Sequence, residues 1–132
     1  MIILKRKIVE KKLSEEIVDP DLLKKVNQEL KKIFDGLKIP FTALTETHFQ
    51  GPKKYNGMSY YTFTAADVTS KIPNWLEPLF KNIRIEGTLN IFEAEQTWTL
   101  ALEYAYDHPT GRSNGLRLGT YFAREDKFIL GR

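Results

Sequence analysis

Polar chemistry is densest in one reversal near the C-terminus, Asp107-His108-Pro109-Thr110-Gly111-Arg112-Ser113-Asn114-Gly115, with Arg117 just beyond it. Gly111 and Gly115 permit backbone conformations that other residues avoid, and Pro109 restricts His108. Successive N–H groups around Gly111, Arg112 and Ser113 can form an anion-binding nest. Arg112 and Arg117 add charge-assisted donors for a phosphate or carboxylate, and Asn114 and His108 add neutral ones. A second chemistry is open to the same stretch. His108 beside Asp107, with Ser113 nearby, has the residue types of a base-activated nucleophile in a small hydrolase-like enzyme. The composition also suits a plain wide hairpin loop, because Gly, Pro and Asn gather wherever strands reverse.

A secondary surface is expected at Tyr60 with Lys53 and Lys54, where a base could stack on the ring beside two cations. The segment Asn56-Gly57-Met58-Ser59-Tyr60-Tyr61-Thr62-Phe63 resembles, in part, the RNP1 strand of RNA-recognition motifs. Gly57, Tyr60 and Phe63 match that pattern. Asn56 replaces its basic residue and Met58 its aromatic, and no family is assigned from three positions. Tyr60 can equally pack beneath a helix.

GxxxxGK[ST], GxGxxG and HExxH are all missing, so the usual phosphate-cradling and zinc-protease patterns do not apply. His48 and His108 stand far apart with no ligand spacing around them, so no metal and no cofactor is expected. With no cysteine in the chain, disulfides, zinc–thiolate sites and thiol nucleophiles are excluded. Glu86, Glu93, Glu95 and Glu103 could supply acid–base pairs, but their strand positions suit solvent exposure. The formal net charge of +3 permits an anionic partner without demanding one. No apolar run reaches the ~20 residues of a membrane span, and the start Met-Ile-Ile-Leu-Lys-Arg-Lys is too short for a signal peptide. A cytoplasmic location is the expectation.

Elements that would hold these residues follow from apolar periodicity. Ile83, Ile85, Leu89 and Ile91 recur with period two, as do Trp98, Leu100, Leu102, Tyr104 and Tyr106, and then Leu116, Leu118, Thr120 and Phe122. Turns at Glu93–Gln96 and Arg124–Lys127 join these strands, and Phe128-Ile129-Leu130 forms a short apolar end. Upstream, Asp19-Pro20 marks a helix start. Leu23, Val26, Leu30, Ile33 and Leu37 then step by three and four, which predicts an amphipathic helix ending near Gly36. Phe41 to Phe49 and Met58 to Ala66 are expected as strands, with Gln50 to Gly57 a flexible connector between them. Residues 2–11 are expected as a lysine-rich strand, although Val9, Leu13 and Ile17 have helical spacing. Residues 70–80, carrying Trp75 and Phe80, are expected as a short helix broken by Pro78.

The expected fold is α+β, residues 1–132 forming a single domain. Five to seven antiparallel strands would be covered by one long and one short helix. The order is compatible with a ferredoxin-like βαββαβ sandwich plus a C-terminal hairpin, or with a cystatin-like curved sheet on a long helix. The functional expectation is a non-catalytic module binding an anionic ligand: a nucleotide, a phosphorylated small molecule or single-stranded nucleic acid. Alternatives are a protein-interaction module using a sheet edge and the hydrolase at His108. A monomer or a homodimer fits equally.

Overall fold

A computed structural model describes residues 18–67, 81–107 and 113–131 of the chain. The strand expected at residues 2–11, the short helix at 70–80 and the turn residues 108–112 lie outside the described residues.

Helix α1 runs Pro20–Leu37. Asp19 caps it as its sequence position predicts: Oδ2 accepts from the Leu22 N–H at 3.0 Å and Pro20 occupies the first turn. The helix continues past Gly36, because Lys38 adopts the left-handed terminating conformation at φ 60°. Ile39 then donates its N–H back to Phe34 O at 2.9 Å. The three-and-four spacing places Val26, Leu30, Ile33 and Phe34 in the interior.

The described strands form one antiparallel meander, β1 (Gln50–Tyr55), β2 (Met58–Asp67), β3 (Lys81–Phe92), β4 (Thr97–Asp107), β5 (Ser113–Phe122) and β6 (Lys127–Leu130), in which spatial order equals chain order. The fold is therefore α+β. A ferredoxin-like order would set the N-terminal strand between β2 and β3, but these two are direct hydrogen-bonded neighbours. Among the described residues there is one α-helix, and no helix is long and apolar enough to cross a membrane.

Two sequence expectations are corrected around β1. Phe41–Phe49 is not a strand. It is extended chain followed by a single 3-10 turn, Glu46–His48. Its backbone polar groups are met from outside a ladder: Asn27 of α1 accepts from Leu44 N–H at 2.8 Å and donates to Leu44 O at 2.9 Å. The segment expected as a flexible connector is instead the edge strand β1. It is exposed along nearly its whole length, so it carries no apolar alternation to reveal it. The signal was the turn: Asn56 and Gly57 both hold positive φ, 49° and 77°, the pair that a two-residue hairpin requires.

One face of the sheet is apolar and lies against α1. Tyr61 and Phe63 of β2, Ile85 and Leu89 of β3, Leu100 and Leu102 of β4, and Tyr121 of β5 share a core with Leu30 and Phe34 of the helix. The Phe63 ring lies over Gly87, where a β-carbon would meet its Cζ at 2.2 Å. The phase of β5 differs from simple alternation. Leu102 pairs with Gly119 while Glu103 pairs with Arg117, so Leu118 is an extra residue. This bulge turns Tyr121, rather than Phe122, onto the core side. A matching irregularity occurs in β2, where Thr64 pairs with Glu86 and Ala66 with Ile85.

Candidate functional site

The opposite face of the sheet is polar, and its cross-strand register can be read in rows. Lys53, Tyr60, Asn90 and Thr99 make one row, and Gln50, Thr62, Thr88, Ala101 and Thr120 the next. Thr64, Glu86, Glu103 and Arg117 make a third. The bulges at Ala65 and Leu118 flank this third row on either side, and bulges next to a row of polar side chains re-aim them locally. A cleft of about 520 Å³ opens here, lined by His48, Gln50, Thr62, Glu86, Glu103 and Arg117 among others.

Charge in the cleft is unevenly distributed. Glu86 and Glu103 lie directly opposite one another on β3 and β4, an arrangement that repels when both are ionised. Arg84 relieves half of it: its Nε donates to Glu86 Oε2 at 2.7 Å and its Nη1 to Asp107 Oδ1 at 3.3 Å. The Glu86 hydrogen bond is the main reason that the Arg84 guanidinium is held above its ordinary pKa, with burial opposing it. Glu103 makes no ion pair among the described residues. Its carboxylate leans over Gly115, where an added β-carbon would lie 2.9 Å from Oε2. Arg117, opposite Glu103 in register, is exposed and likewise without an ion pair among the described residues. Its Nη1 donates to Thr120 Oγ1 at 3.3 Å.

His48 contributes in one defined tautomer. Its Nδ1 accepts the Thr45 N–H at 2.9 Å, so the neutral ring carries its proton on Nε2. That leaves an N–H donor on a residue of the cleft wall.

Of the sequence-derived site, Arg117 is placed on the cleft. Gly111, Arg112 and His108 lie outside the described residues. Ser113 and Asn114 open β5, paired through the backbone with Asp107 and Tyr106, so this strand starts three residues before Leu116, where it was expected to start. Tyr60 and Lys53 are register partners on the same polar face as Arg117, whereas Lys54 pairs with Ser59 and has the opposite parity. Sequence reasoning missed the gathering of His48, Glu86 and Glu103. The Glu residues were visible as alternating positions, but their cross-strand partnership depends on a register that no local pattern states. Among the described residues, no group of three or more acidic, histidine or cysteine side chains could hold a metal ion.

Comparison with family models, curated proteins and solved structures finds no match to this chain.

Proposed function

We propose that the protein is a non-catalytic binding module whose polar cleft takes a small, hydroxyl-bearing molecule carrying one anionic group, such as a phosphorylated metabolite. The observation that carries this reading is Arg117: an exposed guanidinium on the wall of a cleft, opposite a carboxylate that leans away from it. A guanidinium with no ion pair among the described residues suits a phosphate or carboxylate by paired hydrogen bonds. Glu103 and Glu86 accept hydrogen bonds from hydroxyls, and His48 Nε2 with Thr62 and Thr88 supplies further polar contacts. A volume of about 520 Å³ lies within the roughly 300–1,000 Å³ of small-molecule sites.

Within the anionic class, the two glutamates favour a single phosphate over single-stranded nucleic acid. A polyanion lying along this face would bring phosphates past Glu86 and Glu103, while a single phosphate at Arg117 need not approach either closely.

Calorimetric titration with a panel of sugar phosphates, the matching unphosphorylated sugars and inorganic phosphate tests the reading. A phosphorylated member should bind, weaken with added salt, and lose roughly 10- to 100-fold affinity in Arg117→Ala, as expected for hydrogen bonds to a charged group. Equal binding of phosphorylated and unphosphorylated forms, or indifference to Arg117→Ala, would overturn it.

A further inference from the structure

The sheet has two edges among its described strands, and they are built differently. β1 is guarded. Pro52 removes a donor, Lys53 and Lys54 bring charge, and the register slips between Gln50 and Lys53. These are the devices that keep an edge from recruiting another strand. β6 is short and begins with Lys127, but it lacks the proline and the register slip. Lys127-Phe128-Ile129-Leu130 pairs regularly with β5, contains no proline, and ends in Leu130 at 68% exposure, among the most exposed large apolar side chains described. Beside it lies a groove of about 480 Å³ between α1 and the sheet, where Ile33, Leu37, Tyr121, Phe128 and Leu130 meet the charged Glu29, Lys32 and Asp126.

Backbone parity determines what this edge offers. Gly131 donates its N–H to Leu118 O at 2.9 Å. In an antiparallel ladder the inward-bonding residues alternate, so Ile129 also faces β5, and the N–H and C=O groups of Phe128 and Leu130 point outward. A strand added here must be antiparallel to itself if a two-fold axis relates the two copies. Directly opposed residues must also share a face, so that the apolar side stays apolar. Centring the axis on Ile129 meets both conditions. Phe128 of each copy then faces Leu130 of the other, every outward backbone group of the strand is paired, and Leu130 is carried to the mouth of the other copy's groove. Centring it on Phe128 leaves Leu130 opposite Asp126, beyond the strand end.

We infer that β6 is a homodimerisation edge, in which two copies join antiparallel at Ile129 and the sheet continues from one to the other with both α1 helices on the same side. This inference is independent of the polar cleft. The contact is short, so association is expected to depend on concentration.

The chain has no cysteine, which makes the register directly testable. In the inferred pairing Ile129 faces Ile129 across a non-hydrogen-bonded position, where α-carbons sit about 4.5 Å apart, within disulfide reach. Ile129→Cys should therefore form a covalent dimer on mild oxidation, while Tyr55→Cys on the guarded edge should not. Sedimentation of the unmodified chain should show its mass approaching twice the monomer value as concentration rises, and Leu130→Lys, at an exposed position, should stay monomeric and folded. A chain that is monomeric at every concentration overturns the inference. So does a dimer that persists in Leu130→Lys, or one that Ile129→Cys fails to trap.

Discussion

The carboxylate of Glu103 lies over Gly115, which has no side chain to obstruct it; a β-carbon there would be 2.9 Å from Oε2 and 3.0 Å from Cδ. Glu103 is the direct register partner of Arg117 across β4 and β5, yet the two form no ion pair among the described residues. Gly115→Ala should push the flexible carboxylate back toward the guanidinium and neutralise it. Affinity for a phosphorylated ligand should then fall by roughly 3- to 10-fold, the equivalent of about 1 kcal/mol for breaking an exposed ion pair. Adding Glu103→Gln should restore most of the loss. Unchanged affinity in the single variant, measured by calorimetry, would show that Arg117 does not depend on Glu103's position.

How much of this was open to sequence reasoning depends on the range of the signal. α1 was legible because its cap, its proline and its apolar stripe are all local. β2, β3 and β4 were legible because each buries one face and alternates accordingly. β1 was not, since an exposed edge has no reason to alternate. The polar row of Glu86, Glu103 and Arg117 was half legible. Each residue stood on a recognised strand, but the register and the bulge at Leu118 that align them are set by pairing between strands. His48 was hidden by the expected strand at Phe41–Phe49, where its parity meant nothing once the segment proved to be a 3-10 turn.

Asn27 is the peg that holds that segment without a ladder. Its side chain satisfies both backbone groups of Leu44, itself buried. Asn27→Ala would strand a buried donor and acceptor, at a cost of about 1–3 kcal/mol. The urea midpoint should fall accordingly, and amide exchange at Leu44 should accelerate more than at core β-strand positions. A midpoint within error of the parent would mean that water replaces the side chain freely.

Gly87 is required by Phe63, not by turn geometry. Any β-carbon at 87 would overlap the Phe63 ring, with contacts of 2.2–2.8 Å. The ring has little room to retreat because Phe49 packs against it at 4.8 Å between centroids. Gly87→Ala should cost about 1–3 kcal/mol by overpacking. Combined with Phe63→Leu, the damage should be less than the sum of the two single changes, because they act on one contact. Additive losses in thermal melts would place the strain elsewhere.

Tyr121 makes stability depend on alkaline pH. It is buried at 6% exposure, and its hydroxyl donates to Asp126 Oδ1 at 2.6 Å. Burial, and next this hydrogen bond, raise its ionisation above the usual tyrosine range, with the charges of Glu29 and Asp126 acting in the same direction. The neutral hydroxyl is therefore favoured more strongly in the folded chain than in the unfolded one. Its contribution is whole while tyrosine is neutral in both states, below about pH 10. It is lost as pH climbs beyond that, because the unfolded chain releases its proton first. Tyr121→Phe should lower stability by about 1 kcal/mol near neutrality, the worth of the hydrogen bond. Between about pH 9 and about pH 11 it should then lose less stability than the parent, since it has no proton to give up there. Tyr61 and Tyr104, also raised by burial, contribute to both proteins and cancel in the comparison. Parallel curves of urea midpoint against pH for the two proteins would show that Tyr121 ionises as readily folded as unfolded.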